Sequence, residues 1–192
     1  MRLKNLFMVT LLGLAAVSCG NSTNTKKSEK QTAETATVMD IDALLAKADS
    51  LANQVVEIEG ICTHTCKHGA TKIFLMGSDD TKSIRVEAAS LGSFDQKCVN
   101  SIVKVKGTLC EQRIDEAYLQ QWEQLSKENA QNQHGETEAG CDSEKKTRGE
   151  TGNTVAERIA DFRAKIAARK EAENKEYLSF YFVEAQAYEI VE

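Results

Sequence analysis

Between Val99 and Leu109 the side chains alternate with a period of two: Val99, Ser101, Val103, Val105, Gly107 and Leu109 share one parity, while Lys104 and Lys106 take the other. A period of two is that of a strand with one buried face. A strand of this kind needs partners on both edges and a layer beneath it, so the rest of the chain must supply further strands. Three earlier runs do so. Val56, Ile58 and Gly60 alternate with Glu57 and Glu59, with the glycine permitting a sharp bend or close packing. Ile73 to Met76 is a continuous apolar run followed by a GSDD turn, and Ile84, Val86 and Ala88 alternate with Arg85 and Glu87. A fifth run, Leu178, Phe180 and Phe182 with Tyr181, Val183 and Ala185, lies near the C-terminus.

Helical spacing appears at both ends of this series. Ile41, Leu44, Leu45, Ala48, Leu51 and Ala52 fall on one face and predict a helix from about Asp40 to Asn53, with Thr37 and Asp40 resembling a capping box. Ile114, Tyr118, Trp122 and Leu125 form a second helical stripe, in which core packing explains Tyr118 and Trp122 better than a stacking platform does. Thr154 and Glu157 make a capping box for a third helix running to about Asn174, with Val155, Ile159, Phe162 and Ile166 as its apolar stripe. The charges on that helix, Arg163, Lys165, Arg169 and Lys170 among acids, read as a solvated face. From Lys127 to Asn153 large aliphatic residues are missing, which predicts a mobile loop. Three strands, a link, a fourth strand and a late fifth suit a mainly β fold with helices. That fold is a five-stranded OB-like Greek-key barrel with an N-terminal helix and a helical insertion, about 112–177, before the last strand.

The segments QVVEIEGICTH, KIFLMGSDDTKSIRVEA and NSIVKVKGTL resemble OB-fold proteins of the tRNA-anticodon-binding-like group, found also in envelope lipoproteins of Bacteroidota-type bacteria. The resemblance covers roughly Asn53 to Leu109, with Tyr181 to Val191 as the fifth strand. It implies a shape and no shared catalytic residues, because this fold carries many unrelated functions.

The first residues, MRLKNLFMVTLLGLAAVSCGN, combine a basic start, an apolar run and a small residue directly before Cys19. This pattern predicts a lipoprotein signal peptide over 1–18, lipidation of Cys19, and a polar tether over 19–38 leading to one domain over 39–192. The expected address is the bacterial cell envelope, with a lipid anchor in the outer membrane facing the periplasm. Lys and Arg total 24 against 29 Asp and Glu. Removing Arg2 and Lys4 with the leader makes the mature chain more acidic still. Phosphate contacts need a basic surface, so no nucleic-acid partner is expected, whereas an envelope protein partner is compatible with the address.

The densest group of soft ligands is CTHTCKH, which places Cys62, His64, Cys66 and His68 at two-residue intervals ahead of Gly69. Thiolates and imidazoles suit Zn or Cu, and His134 or Cys141 are possible extra ligands. In a straight strand Cys62 and His68 would stand about 20 Å apart, so a shared ion requires the chain to fold back. Two alternatives stay open: a structural Cys62–Cys66 disulfide with incidental histidines, and a redox-active thiol pair whose spacing departs from thioredoxin-like sites. Without Cys19 the cysteines number five, an odd count that leaves at least one unpaired within the chain. An extended Val99–Leu109 would hold Cys98 and Cys110 roughly 40 Å apart, which excludes a bond between them. No nucleophile motif or phosphate-binding loop is present, and the Asp79–Asp80 and Asp115–Glu116 pairs suit turns and helix starts, so an enzyme is not expected.

Overall fold

The computed structural model describes residues 37–67, 69–130 and 142–191. Its centre is a closed five-stranded barrel: β2 (Val55–Thr65), β3 (Lys72–Met76), β4 (Ser83–Glu87), β5 (Ile102–Asp115) and β6 (Tyr177–Val191). Around the barrel the order is β2–β3–β4–β6–β5, and β5 pairs back onto β2. All neighbours are antiparallel except β4 and β6, which run parallel with Arg85 opposite Phe182. This is an OB-like Greek key. A short β1 (Met39–Asp40) adds in parallel beside β2.

The alternation read from the sequence selects the inward face. Val56, Ile58, Ile73, Leu75, Ile84, Val86, Val103, Val105, Leu109, Val183 and Ala185 fill one apolar core, closed at one end by Ile41 and Leu44 of α1 (Ile41–Ala46). Gly60 is required where α1 crosses β2, because a Cβ there would lie 2.8 Å from Ile41 Cγ1 and 2.9 Å from the Met76 carbonyl. Gly107 sits at the one register shift of the β5–β6 pair, where the Glu184 backbone crowds the position a Cβ would take.

Several expected boundaries move. The N-terminal helix is capped by Asp40, whose carboxylate accepts from the Ala43 N–H at 2.6 Å, and not by Thr37. It also breaks at Lys47, continuing as α2 (Ala48–Leu51). The insertion starts later than residue 112, since β5 runs to Asp115 and α3 occupies Glu116–Ala130. Ile114 is therefore a strand residue, held by its pairing with Leu178, although its spacing to Tyr118 fits a helix. Beyond Leu109, β5 pairs only with β6.

On that two-stranded extension α3 and α5 (Val155–Glu173) pack through Ile114, Leu119, Ile159 and Phe162, a second apolar cluster separate from the barrel core. Phe162 meets Trp122 and Phe180 with ring centroids 6.2 and 5.8 Å apart, which confirms core packing for Trp122. The Thr154–Glu157 capping box forms as expected, and Asn174 closes α5 in a left-handed conformation. Of the expected mobile link, residues 131–141 lie outside the described residues, while Asp142–Thr147 is a helix, α4, and not a loop. α4 has no apolar stripe, so hydrophobic periodicity could not announce it.

Candidate functional site

The Cys/His stretch begins inside β2. Opposite β3 the register shifts between Cys62 and His64, so that Cys62 pairs with Leu75 and His64 with Phe74. One extra residue in a strand reverses which face the following side chains take. Cys62, on the parity of Val56 and Ile58, sits fully buried in the barrel core with its thiol donating to the His64 carbonyl at 3.6 Å, while His64, past the shift, lies against Phe74 with ring centroids 5.9 Å apart. After Thr65 the chain turns back: the Cys66 N–H donates to the Lys72 carbonyl at 2.9 Å and the Ala70 N–H to the Cys66 carbonyl at 3.1 Å.

The expected set of four therefore divides. Cys62 is in the sealed core, and His64 and Cys66 lie towards the turn, while His68, His134, Cys141 and Cys19 lie outside the described residues. Among the described residues no group of three or more His, Cys, Asp or Glu side chains is placed to hold a metal ion. Cys62 and Cys66 both carry free thiols. Four residues of mostly extended chain hold their Cα atoms on the order of 12 Å apart, beyond the reach of a disulfide. A direct Cys62–Cys66 bond, one of the two alternatives to a metal site, does not fit this spacing. The extended segment starts later than read from the sequence: β5 begins at Ile102, Cys98 ends a one-turn helix (Gln96–Cys98) before it, and Cys110 lies within β5.

What the sequence did not signal is the outer face of the neighbouring strands. The cross-strand partners His64, Phe74, Arg85, Phe182 and Cys110 form one continuous row over β2, β3, β4, β6 and β5. Arg85 stacks on Phe182 with its guanidinium carbon 4.7 Å from the ring centroid. Both Phe74 and Arg85 are buried although they point away from the core, because α4 covers them. Ser83 and Thr147 share a hydrogen bond at 2.8 Å, Arg85 donates to Glu144 at 2.6 Å, and Lys146 pairs with Asp80 at 2.5 Å.

Two cavities of mixed lining, about 250 and about 240 Å³, border α4 on this face. The first is walled by Arg85, Gln112, Arg148, Ser179, Phe180 and Tyr181, and the second by His64, Phe74, Asp80, Ser83, Ser143 and Lys146. Burial pushes the Glu144 carboxyl up, but Arg148, Lys72 and Arg85 more than offset it and leave the group below its ordinary value. It stays a carboxylate between three cations. Nothing in the row is poised as a nucleophile, and its donors, acceptors and aromatic faces suit non-covalent recognition.

No protein-family model matches the chain, and no curated protein does. Two similar solved structures are aspartyl-tRNA synthetases. One is described as coming from Leishmania major Friedlin, with TM-score 0.29 and 20% identity over 44% of this chain and 18% of that one. The other is from Entamoeba histolytica, with TM-score 0.32 and 13% identity over 88% of this chain and 44% of that one. The chain spans less than half the length of either.

Proposed function

We propose that this chain is a lipoprotein of the bacterial envelope, anchored through Cys19, whose OB-like barrel is a non-catalytic binding module. Its working surface is the outer face of β3, β4 and β6 beside α4. The observation that carries this reading is the row Phe74–Arg85–Phe182 with a cavity of mixed lining on each side of the covering helix. Cavities of this size fall below those that enclose drug-sized molecules. They suit one polar group of a larger envelope component, such as a side chain of a protein partner. The acidic balance of the chain argues against nucleic acid. Chemical-shift mapping with envelope-derived peptides tests the assignment. A ligand should move the amides of Ser83, Thr147 and Tyr181, and Tyr181→Ala, in the wall of the first cavity, should weaken it about tenfold, the scale of one lost aromatic contact. Ligands that perturb only other surfaces would rule this face out. Fractionation tests the address: wild type belongs with the membrane, and Cys19→Ala should leave it.

A second reading, a Zn or Cu site at the β2–β3 turn, is favoured by the chain reversal between Cys66 and Lys72, which is the fold-back a shared ion needs. Its ligands would come from His64, Cys66 and His68, without Cys62. Elemental analysis of protein purified without chelators decides it. Cys66→Ser should lower bound metal severalfold and Cys98→Ser should not, whereas metal-free wild type would end this reading.

A further inference from the structure

Two of the cysteines that the turn does not use lie in one core cluster, both as free thiols in this structure. Cys62 on β2 and Cys98, just before β5, are each fully buried in the same apolar core. Their backbones are tied where β2 meets the segment entering β5. The Cys62 N–H donates to the Ser101 carbonyl at 2.9 Å, and its carbonyl accepts from the Asn100 N–H at 2.7 Å. The tight turn at 98–101 closes with the Ser101 N–H donating to the Cys98 carbonyl at 3.0 Å, and Asn100 takes a left-handed φ of 65° to make it. This turn folds Cys98 back over the residues paired with Cys62, and both side chains enter the core.

We propose that Cys62 and Cys98 are the disulfide partners of the mature protein, joining β2 to the link between β4 and β5. The proposal goes beyond the binding reading and depends only on export to an oxidising compartment. The reaction is a two-step exchange with an external disulfide, as supplied by a thiol–disulfide oxidoreductase or oxidised glutathione. One thiolate attacks that disulfide and releases one thiol, and the second cysteine then attacks the mixed disulfide and releases the other. Two thiols of this chain are oxidised, one external disulfide is reduced to two thiols, and each cysteine proton passes to a departing sulfur. Burial, then the neighbouring Cys62 sulfur, push the Cys98 thiol up to about 11, so exchange belongs to folding, before the core closes. In the native state the bond would be shielded from reductants. The pairing leaves Cys66, Cys110 and Cys141, so at least one cysteine still stays unpaired within the chain.

The test is a peptide map of the full chain carrying Cys19→Ser, refolded in a glutathione redox buffer, alkylated without reduction and cleaved with trypsin. Peptide 48–67 should appear linked to peptide 98–104. Because 48–67 also contains Cys66, the link must persist in Cys66→Ser and vanish in Cys62→Ser and Cys98→Ser. If those last variants do not fold, fragmentation of the linked peptide from Cys66→Ser still places the bond. Reduction should lower the thermal midpoint by roughly 5–10 °C. Alkylated Cys98, or a link from Cys98 to Cys66, Cys110 or Cys141, would overturn the pairing. So would finding both thiols reduced in protein trapped directly from envelope fractions.

Discussion

Arg85 of β4 donates through Nη1 to Glu144 of α4 at 2.6 Å, and this contact fastens the inserted segment to the barrel. The same carboxylate receives Arg148 at 3.2 Å and Lys72 at 3.8 Å, while Arg85 Nε lies 3.2 Å from Glu87 Oε1, off hydrogen-bond alignment. α4 offers no buried residue of its own, so charge and two hydroxyls hold it in place. Removing one member of a largely buried ion group leaves the others desolvated and unpaired. Glu144→Ala should therefore destabilise the protein by about 2–3 kcal/mol in denaturant titrations and expose α4 to protease. A cost below about 0.5 kcal/mol would mean that water already screens the group.

The same carboxylates set the acid limit. Glu144 is held below its ordinary value of 4.5, and the Lys82 ammonium with Ser78 holds Asp42 near 2 against an ordinary 3.8. For a carboxyl whose folded value is depressed, the stabilisation is complete above the unfolded value and disappears as pH falls through the folded one. Stability should hold from neutral pH to about 5, then fall through the range from 4.5 downward, with the Asp42 share lost last, towards 2. Denaturation midpoints measured from pH 6 to 2 test this. In Glu144→Gln the drop just below pH 4.5 should be shallower than in wild type, and superimposable curves would remove Glu144 from the account.

Gly60 is a steric requirement and not a flexible joint. A methyl group there would press on Ile41 Cγ1 at 2.8 Å and on the Met76 carbonyl at 2.9 Å. Ile41 can shift its side chain, but the Met76 carbonyl belongs to the strand ladder. Gly60→Ala should cost about 2 kcal/mol, and adding Ile41→Val should recover only part of it. Full recovery would show that the strand itself tolerates the methyl group.

Where the sequence was legible, one rule carried the information. Each barrel strand turns one face to the core, so period-two alternation announced β2, β4 and β5 and, with the aromatic run before Ala185, the late return of β6. The capping box at Thr154 was equally plain, because it needs only two residues at fixed spacing. Ile114 was misread because one residue can satisfy a helical spacing to Tyr118 and a strand pairing to Leu178, and only the long-range pairing decides. The site was less legible. Nothing local marks the bulge that, after the inward Cys62, turns His64 to the other face. Arg85 reads as a solvated strand residue until Glu144, far along the chain, covers it.

The two apolar clusters give the last expectation. Ile114, Leu119, Ile159 and Phe162 hold α3 and α5 on the strand extension, and no member of that cluster belongs to the barrel core. Phe162 is fully buried between Trp122 and Phe180, so Phe162→Ala should remove about 3–4 kcal/mol from this cluster. A loss confined to one cluster lets it open alone, as a sub-global unit of lower stability than the barrel. Trp122 is the single tryptophan and reports on that unit directly. In Phe162→Ala its fluorescence should change at lower denaturant than the loss of strand signal in circular dichroism, and amides of α3 and α5 should exchange before those of β2 and β3. Coincident transitions by both probes would show instead that β5 and β6, running unbroken through both clusters, bind them into one cooperative unit.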